Sequence, residues 1–280
     1  MRPKADPGIA LTMNSSFMGY YAHSGFLLGL AQRGIYPGHL SGSSAGAIVA
    51  GLHAGGLTAE RVAEVCLGAQ LHHAFIELGG IFRLPGLLLN CAGVSGLIRG
   101  NKAERFFGKL LNGQQIEDCH SPTLSMAVTN LTVGTGEIIT CGAIAPFLIA
   151  SASAPGFFQV QQIDGHQYWD GGITNALPYR QWLNDPNIHT IIQHVIAKDR
   201  PQSPTGPSFT SSVRRCHHIL VDQLSKQDQE QSKDSGKRII RIETAAPRPS
   251  AWNRRLSSAC HEWGLNSARE MLWTSGQVAF

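Results

Sequence analysis

Two short runs in this 280-residue chain carry residue types and spacings suited to covalent chemistry: Gly42-Ser43-Ser44-Ala45-Gly46 and Asp170-Gly171-Gly172. The first is a Gly-x-Ser-x-Gly pattern between Leu40 and a small-residue stretch in which Ala47, Ala50, Gly51 and Ala54 recur on one side. A strand turning sharply into a helix presents the central serine hydroxyl above a sheet edge, and a Cβ at Gly42 or Gly46 would crowd that turn. The chemistry such a corner suits is nucleophilic attack by the Ser44 hydroxyl. Unpaired N–H groups of a helix beginning near Ala45 face the negative charge this creates. An attacking serine needs a base, and none of the twelve histidines stands in a diagnostic context. Asp170 follows a strand-like run, and its two glycines let another backbone approach closely, as a site assembled from distant loops requires. The plain alternatives are a flexible Gly-Ser loop before an ordinary helix and an ordinary Asp-Gly turn.

Both runs need a sheet to hold them. Ile9 to Met13 reads as a buried strand, Asn14 to Gly19 as a tight loop, and Tyr20 to Gln32 as a helix stopped by Gly34. Pro37 to Ser41 is the strand feeding Ser44. This alternation is that of a parallel sheet covered by helices. Thr58 can cap a helix through Val62, Val65 and Cys66, and Asn101 with Glu104 suggests a capping box before Phe106, Phe107, Leu110 and Leu111. Leu124 to Leu131 predicts a strand, with Glu137 to Cys141 its hairpin partner. Ala150 to Phe158 reads as a small-residue helix halted by Pro155-Gly156, and Gln161 to Tyr168 as the hairpin that delivers Asp170.

Farther on, His189 to Ala197 and Arg238 to Ile242 read as strands and Pro201 to Pro207 as a loop. Val213, Cys216, Leu220 and Leu224 mark one helical face, followed by the polar run Lys226 to Lys237, a solvated face or a disordered loop. Trp252, Leu256, Cys260 and Trp263 mark a stripe on a terminal helix, with Trp252, Arg254 and Arg255 a membrane-interface cluster in the alternative. Leu71 to Gly100 is apolar without clean periodicity. It reads either as irregular core covering or as an acyl-chain groove and lipid-touching surface.

Composition narrows the class. A net charge of only +4, with no basic block, argues against a nucleic-acid partner. Cys66, Cys91, Cys119, Cys141, Cys216 and Cys260 are scattered without metal-ligand spacing, so they read as reduced core thiols and no metal or cofactor is expected. The N-terminus does not read as a signal peptide and no segment reaches membrane-span length, which leads to the expectation of a cytoplasmic protein with at most peripheral membrane contact. Length and apolar content suit one domain over 1–280, with a core of about 9–197 and 198–280 packing on it as a C-terminal strand and helices.

Taken together, the motifs resemble those of the patatin-like phospholipase family. The family's elbow matches Gly42 to Gly46, and its small-residue Pro-Gly segment, hairpin, Asp-Gly-Gly and Asn-x-Leu-Pro series matches Ser151 to Pro178. The likeness runs from about Ile9 to Ala197. It implies a three-layer α/β/α sandwich with a mainly parallel central sheet, and a lipid acyl hydrolase in which Ser44 is the nucleophile and Asp170 the base of a dyad. Phospholipid or another acyl ester would be the substrate, cleaved through an acyl-enzyme. The family's oxyanion loop, Gly-Gly-Gly-x-Arg/Lys-Gly, corresponds to Asn14-Ser15-Ser16-Phe17-Met18-Gly19, so the backbone N–H groups of Ser15, Ser16 and Phe17, with Ala45, become the candidate donors. That glycine-poor loop motivates a second reading, a catalytically weak lipid-binding or interaction protein. A third, a triad hydrolase with His166 or His194 as base, has less behind it, because that fold expects its histidine late and after a separate acidic residue.

Overall fold

The structure is a computed structural model that describes residues 3–197, 209–232, 235–246 and 254–275. Its strands are β1 (Asp6–Met13), β2 (Pro37–Ser43), β3 (Gly96–Ile98), β4 (Thr123–Asn130), β5 (Thr135–Ile139), β6 (Gly156–Phe158), β7 (Gln161–Ile163), β8 (His166–Asp170), β9 (Thr190–Ile196) and β10 (Arg238–Thr244). Its helices are α1 (Tyr20–Gln32), α2 (Ala45–Ala54), α3 (Ala59–Leu67), α4 (Ala69–Ala74), α5 (Leu84–Leu88), α6 (Asn101–Leu110), α7 (Ile144–Ser151), α8 (Phe209–Ser232) and α9 (Ser257–Ser275).

The main sheet runs β10-β9-β1-β2-β4-β8-β7, with β5 also paired to β4. From β10 to β4 the pairs are parallel, and β5, β8 and β7 add antiparallel pairs at one side. Alternation along the strands divides the core. Leu11, Met13, Leu40, Met126, Val128 and Ile192 belong to the larger apolar cluster, with α1, α2 and α7. Ala10 and Ile191 point the other way, onto Tyr179, Trp182 and Ile188. Helices therefore flank a mixed, mainly parallel sheet, the α/β layering expected of such a sequence.

Several elements differ from their sequence reading, each for a physical reason. The small-residue helix lies earlier, at Ile144–Ser151, and Gly156–Phe158 is a short strand paired with β3. Asn101 is inside α6 rather than capping it. Gly100 takes the cap position at φ +88°, and the Glu77 carboxylate accepts the Arg99 and Gly100 N–H groups at 3.0 Å each. Thr58 caps α3 as expected, accepting from the Arg61 N–H. On α8, Cys216, Leu220 and Leu224 are exposed and, among the described side chains, Val221 is the buried apolar one; the Val213 side chain lies outside the described residues. On α9, Trp263 is exposed while Ser257, Cys260, His261, Gly264, Ala268 and Met271 face inward, because α1 comes too close for a bulky stripe. A Cβ on Gly25 would fall 1.9 Å from the His261 carbonyl oxygen, and one on Gly264 1.9 Å from that of Ala22. All six cysteines are free, but Cys91, Cys141 and Cys216 are exposed rather than in the core. Pro201 to Pro207 and Trp252 lie outside the described residues. Among the described residues, no single helix is long and apolar enough to cross a membrane.

Candidate active site

β2 ends on Ser43 and α2 begins on Ala45, so Ser44 alone makes the corner, with φ +53° and ψ −117°. For a residue with a side chain this conformation costs roughly 1–3 kcal/mol and persists only where the surroundings over-determine it. Close packing is one such constraint. A Cβ on Gly42 would lie 2.2 Å from the Gly46 carbonyl carbon, and one on Gly46 would lie 2.1 Å from the Met13 carbonyl oxygen. A hydrogen-bond relay is the other. The Ser44 N–H donates to Ser151 Oγ at 2.9 Å, and the Ser151 hydroxyl donates to the Ala127 carbonyl at 2.7 Å.

Asp170 arrives from the opposite side of β4. Ser43 pairs with Ala127 and Asp170 with Val128, so Ser44 and Asp170 meet across the width of one intervening strand. The Asp170 N–H donates to the Ser153 carbonyl at 3.0 Å, and the Asp170 carbonyl accepts from Thr129 Oγ1 at 2.8 Å. The end of α7 thus ties down both halves of the site, through Ser151 on one side and Ser153 on the other. Sequence reasoning assigned neither serine a role. The signal was there only as two hydroxyls in an otherwise apolar segment.

The Asp170 carboxylate is buried, and its Oδ1 accepts the Gly172 N–H at 2.7 Å. The Ser44 and Ser15 side chains lie close enough to it to favour its charged form. Burial pushes the carboxyl up to about 6, against the pull of Ser44, Gly172 and Ser15. At neutral pH it is therefore ionised, yet far more basic than an exposed aspartate. The paired glycines have the expected close-approach role. A Cβ on Gly171 would fall 2.1 Å from the Ala127 carbonyl oxygen, and one on Gly172 would fall 2.2 Å from Ser15 Oγ.

The Asn14 to Gly19 loop follows β1, whose Met13 pairs with Gly42, so the loop stands beside the elbow. Its left-handed position falls on Met18, at φ +54°, rather than on a glycine. The Ser15 N–H donates to the Ala176 carbonyl at 2.8 Å. This corrects the expectation for Ser15: its N–H is committed, and it meets the site through its hydroxyl instead. Among the described residues, the N–H groups of Ser16, Phe17 and Ala45 donate to no other group. Neither histidine considered as a base partners Ser44. His166 Nδ1 lies 3.3 Å from Asn130 Nδ2, and His194 is fully buried with Nδ1 2.8 Å from His23 Nδ1. Among the described residues, no group of three or more His, Cys, Asp or Glu side chains converges as a metal site would.

An apolar rim adjoins this centre. The Phe17 ring stands 6.2 Å from that of Phe157, and Phe157 lies on β6, which pairs with β3. Through that pairing the Leu71 to Gly100 segment joins the mouth of the site. Its start covers the core, with Leu71 and Ala74 buried there, while its tip exposes Leu78 (81%), Ile81 (68%), Phe82 (86%), Leu88 (75%) and Leu89 (77%).

The chain is similar to known proteins. The family model described as patatin-like phospholipase matches residues 11–183, which takes in both motifs. Uncharacterised NTE family proteins of Mycobacterium bovis and Mycobacterium tuberculosis are 29% identical over 178 residues, 64% of this chain and 46% of theirs. This chain thus spans about half the length of those relatives. The crystal structure of VipD from Legionella pneumophila aligns at a TM-score of 0.54 and 14% identity, covering 98% of this chain and 67% of that one. ExoU of Pseudomonas aeruginosa, in its complex with SpcU, aligns at 0.45 and 12%, covering 96% and 53%.

Proposed function

This chain belongs to the patatin-like phospholipase family, and from that premise we propose that it hydrolyses carboxylic esters of lipids with Ser44 as nucleophile and Asp170 as base. The observation that carries the reading is the approach of the Ser44 side chain to a buried, basic Asp170 carboxylate, two residues 126 positions apart brought to one strand-to-helix corner by the register of β2, β4 and β8. An aspartate at its ordinary pKa of about 3.9 is a weaker base than a histidine at about 6.5, a handicap of roughly 3.5 kcal/mol. With the Asp170 carboxyl at about 6, most of that handicap is gone.

In the proposed cycle Asp170 takes the Ser44 proton as Oγ attacks the ester carbon. The tetrahedral oxyanion is held by the N–H groups of Ser16 and Phe17 in the loop and of Ala45 at the start of α2. Collapse expels the alcohol, which leaves with the proton from Asp170. Asp170 then deprotonates a water that attacks the acyl-serine, releasing the carboxylic acid and restoring Ser44. The exposed apolar residues at the mouth support a lipid substrate over a small polar ester, because they offer an acyl chain or a lipid surface an unhydrated landing area. A fluorophosphonate probe labels the wild type and not Ser44→Ala, and Ser44→Ala turns over no acyl ester. Turnover that survives Ser44→Ala overturns the reading.

A second reading, a lipid-binding protein with little turnover, is favoured by one specific feature. The loop beside Ser44 has no glycine before Gly19, and one of its N–H groups is spent on Ala176. Losing an oxyanion donor costs about 3 kcal/mol of transition-state stabilisation. Vesicle binding with no hydrolysis of any acyl ester, short or long, would select this reading.

A further inference from the structure

A chain of buried polar groups runs from the C-terminal part of the molecule to the loop beside Ser44. His23, on α1, places Nε2 2.9 Å from the Asn14 carbonyl oxygen and Nδ1 2.8 Å from His194 Nδ1. His194, on β9, places Nε2 2.9 Å from Thr244 Oγ1 on β10. Both imidazoles are fully buried, and the His194 ring stacks on Phe26 at 3.9 Å and 7°. Ser267 of α9 stands 2.8 Å from the Thr244 hydroxyl. Residues 194, 244 and 267 all lie beyond the span matched by the family model.

Hydrogen-bond logic gives this chain a direction. A carbonyl only accepts, so His23 Nε2 carries the proton facing Asn14. Burial lowers His23 to about 4 and His194 well below its usual range, so both rings are neutral at neutral pH. His23 Nδ1 is then a lone pair, His194 Nδ1 must donate to it, and His194 Nε2 must accept from the Thr244 hydroxyl, which gives its proton to the imidazole in place of Ser267 Oγ; Ser267, whose hydroxyl otherwise donates to the Trp263 carbonyl at 3.0 Å, then donates to Thr244. Every donor points toward the loop.

The far end of the chain is one peptide unit. Its carbonyl, Asn14 C=O, is held by His23 and its N–H, that of Ser15, by the Ala176 carbonyl. The Asn14 side chain also accepts the Ile196 N–H at 3.0 Å. A planar peptide gripped on both edges cannot rotate, so the next N–H groups along the chain inherit a fixed origin. No glycine run supplies this loop with its shape, so an external brace can.

We propose that His23, His194 and Thr244 are positioning residues, a paired-imidazole brace from β10 to the Asn14–Ser15 peptide that sets the Ser16 and Phe17 N–H groups for the reaction at Ser44. The proposal rests on the reading of that loop as the oxyanion donor. It makes the C-terminal part of the chain a working portion of the site.

Thr244→Val removes the terminal donor at nearly constant shape, and Thr244→Ser restores it. Measured on a soluble short-chain ester, the valine variant loses about tenfold in kcat with KM within about twofold, and the serine variant recovers most of the rate. Imidazole nitrogen NMR on the wild type reports the Nε2–H form for His23 and the Nδ1–H form for His194. In Thr244→Val the Ser16 and Phe17 amide protons exchange faster. The opposite tautomers, or a valine variant that melts earlier yet keeps kcat and the amide exchange of the wild type, overturn the brace. Should the wild type hydrolyse no ester, the proposed activity fails, and the tautomer and amide-exchange results still decide the brace.

Discussion

At the scale of single residues, the site balances two strained features against each other. Ser44 is held at a positive φ, and Asp170 carries charge in a buried place. The second has a pH signature. Folding raises the Asp170 pKa from 3.8 to about 6, so the folded state holds the proton more tightly than the unfolded chain does. The contribution to stability is complete below about pH 4 and is lost as pH rises through about 6. Asp170→Asn should therefore melt higher than the wild type at pH 8, by up to about 3 kcal/mol, and equal it near pH 4. Thermal melts at the two pH values check this, and equal differences at both would contradict the buried charge. Activity carries the complementary sign: kcat/KM falls about tenfold per pH unit below about pH 6, as the base becomes protonated. The identities of Ser44, Asp170 and their glycines were legible in sequence because each is demanded by local geometry. Ser151 was not, since its partner Ala127 comes from a different element.

At the scale of elements, the least regular stretch has the clearest consequence. Residues 78–89 expose six large apolar side chains, Leu84 among them, on a short 3-10 turn and α5, and β3 hydrogen-bonds this region to the strand bearing Phe157. An apolar tip of this kind favours transfer from water into a lipid surface at roughly 25 cal/mol per Å2 of buried area. Leu78→Ser with Phe82→Ser should cut co-sedimentation with phosphatidylcholine vesicles and slow hydrolysis of vesicle lipid about tenfold, leaving a soluble short-chain ester unaffected. An equal loss on both substrates would mean that the tip acts on the chemistry rather than on docking. Element existence was readable from periodicity for α1, α2, β2 and β4. Where an end is set by a distant group, as Glu77 sets the start of α6, local signals pointed to the wrong residue.

At the scale of the whole molecule, β10 and α9, both beyond the family match, are bonded into the sheet and the core rather than appended to them. β10 extends the sheet beside β9, and α9 lies against α1 with Gly25 and Gly264 at backbone-contact distance. Gly264→Ala places a methyl group 1.9 Å from the Ala22 carbonyl oxygen, so the helices must part. Overpacking of this kind costs about 1–3 kcal/mol, and a lowered melting temperature is the expected result. A melt indistinguishable from the wild type would mean that α9 sits farther from α1 than described.

The sequence by itself determined the candidate chemistry-bearing residues, the strand-turn-helix at Ser44, the α/β class and the order of the leading elements, because these depend on residue type and on spacings of a few positions. Only the tertiary structure decided that Ser15 meets Asp170 by its hydroxyl while its N–H goes to Ala176, that the end of α7 grips both catalytic candidates, and that two buried histidines link β10 to the loop at Asn14. Those facts depend on groups far apart in the chain meeting at hydrogen-bond distance. No local pattern encodes such a meeting, since it exists only once the sheet has set the register of its strands.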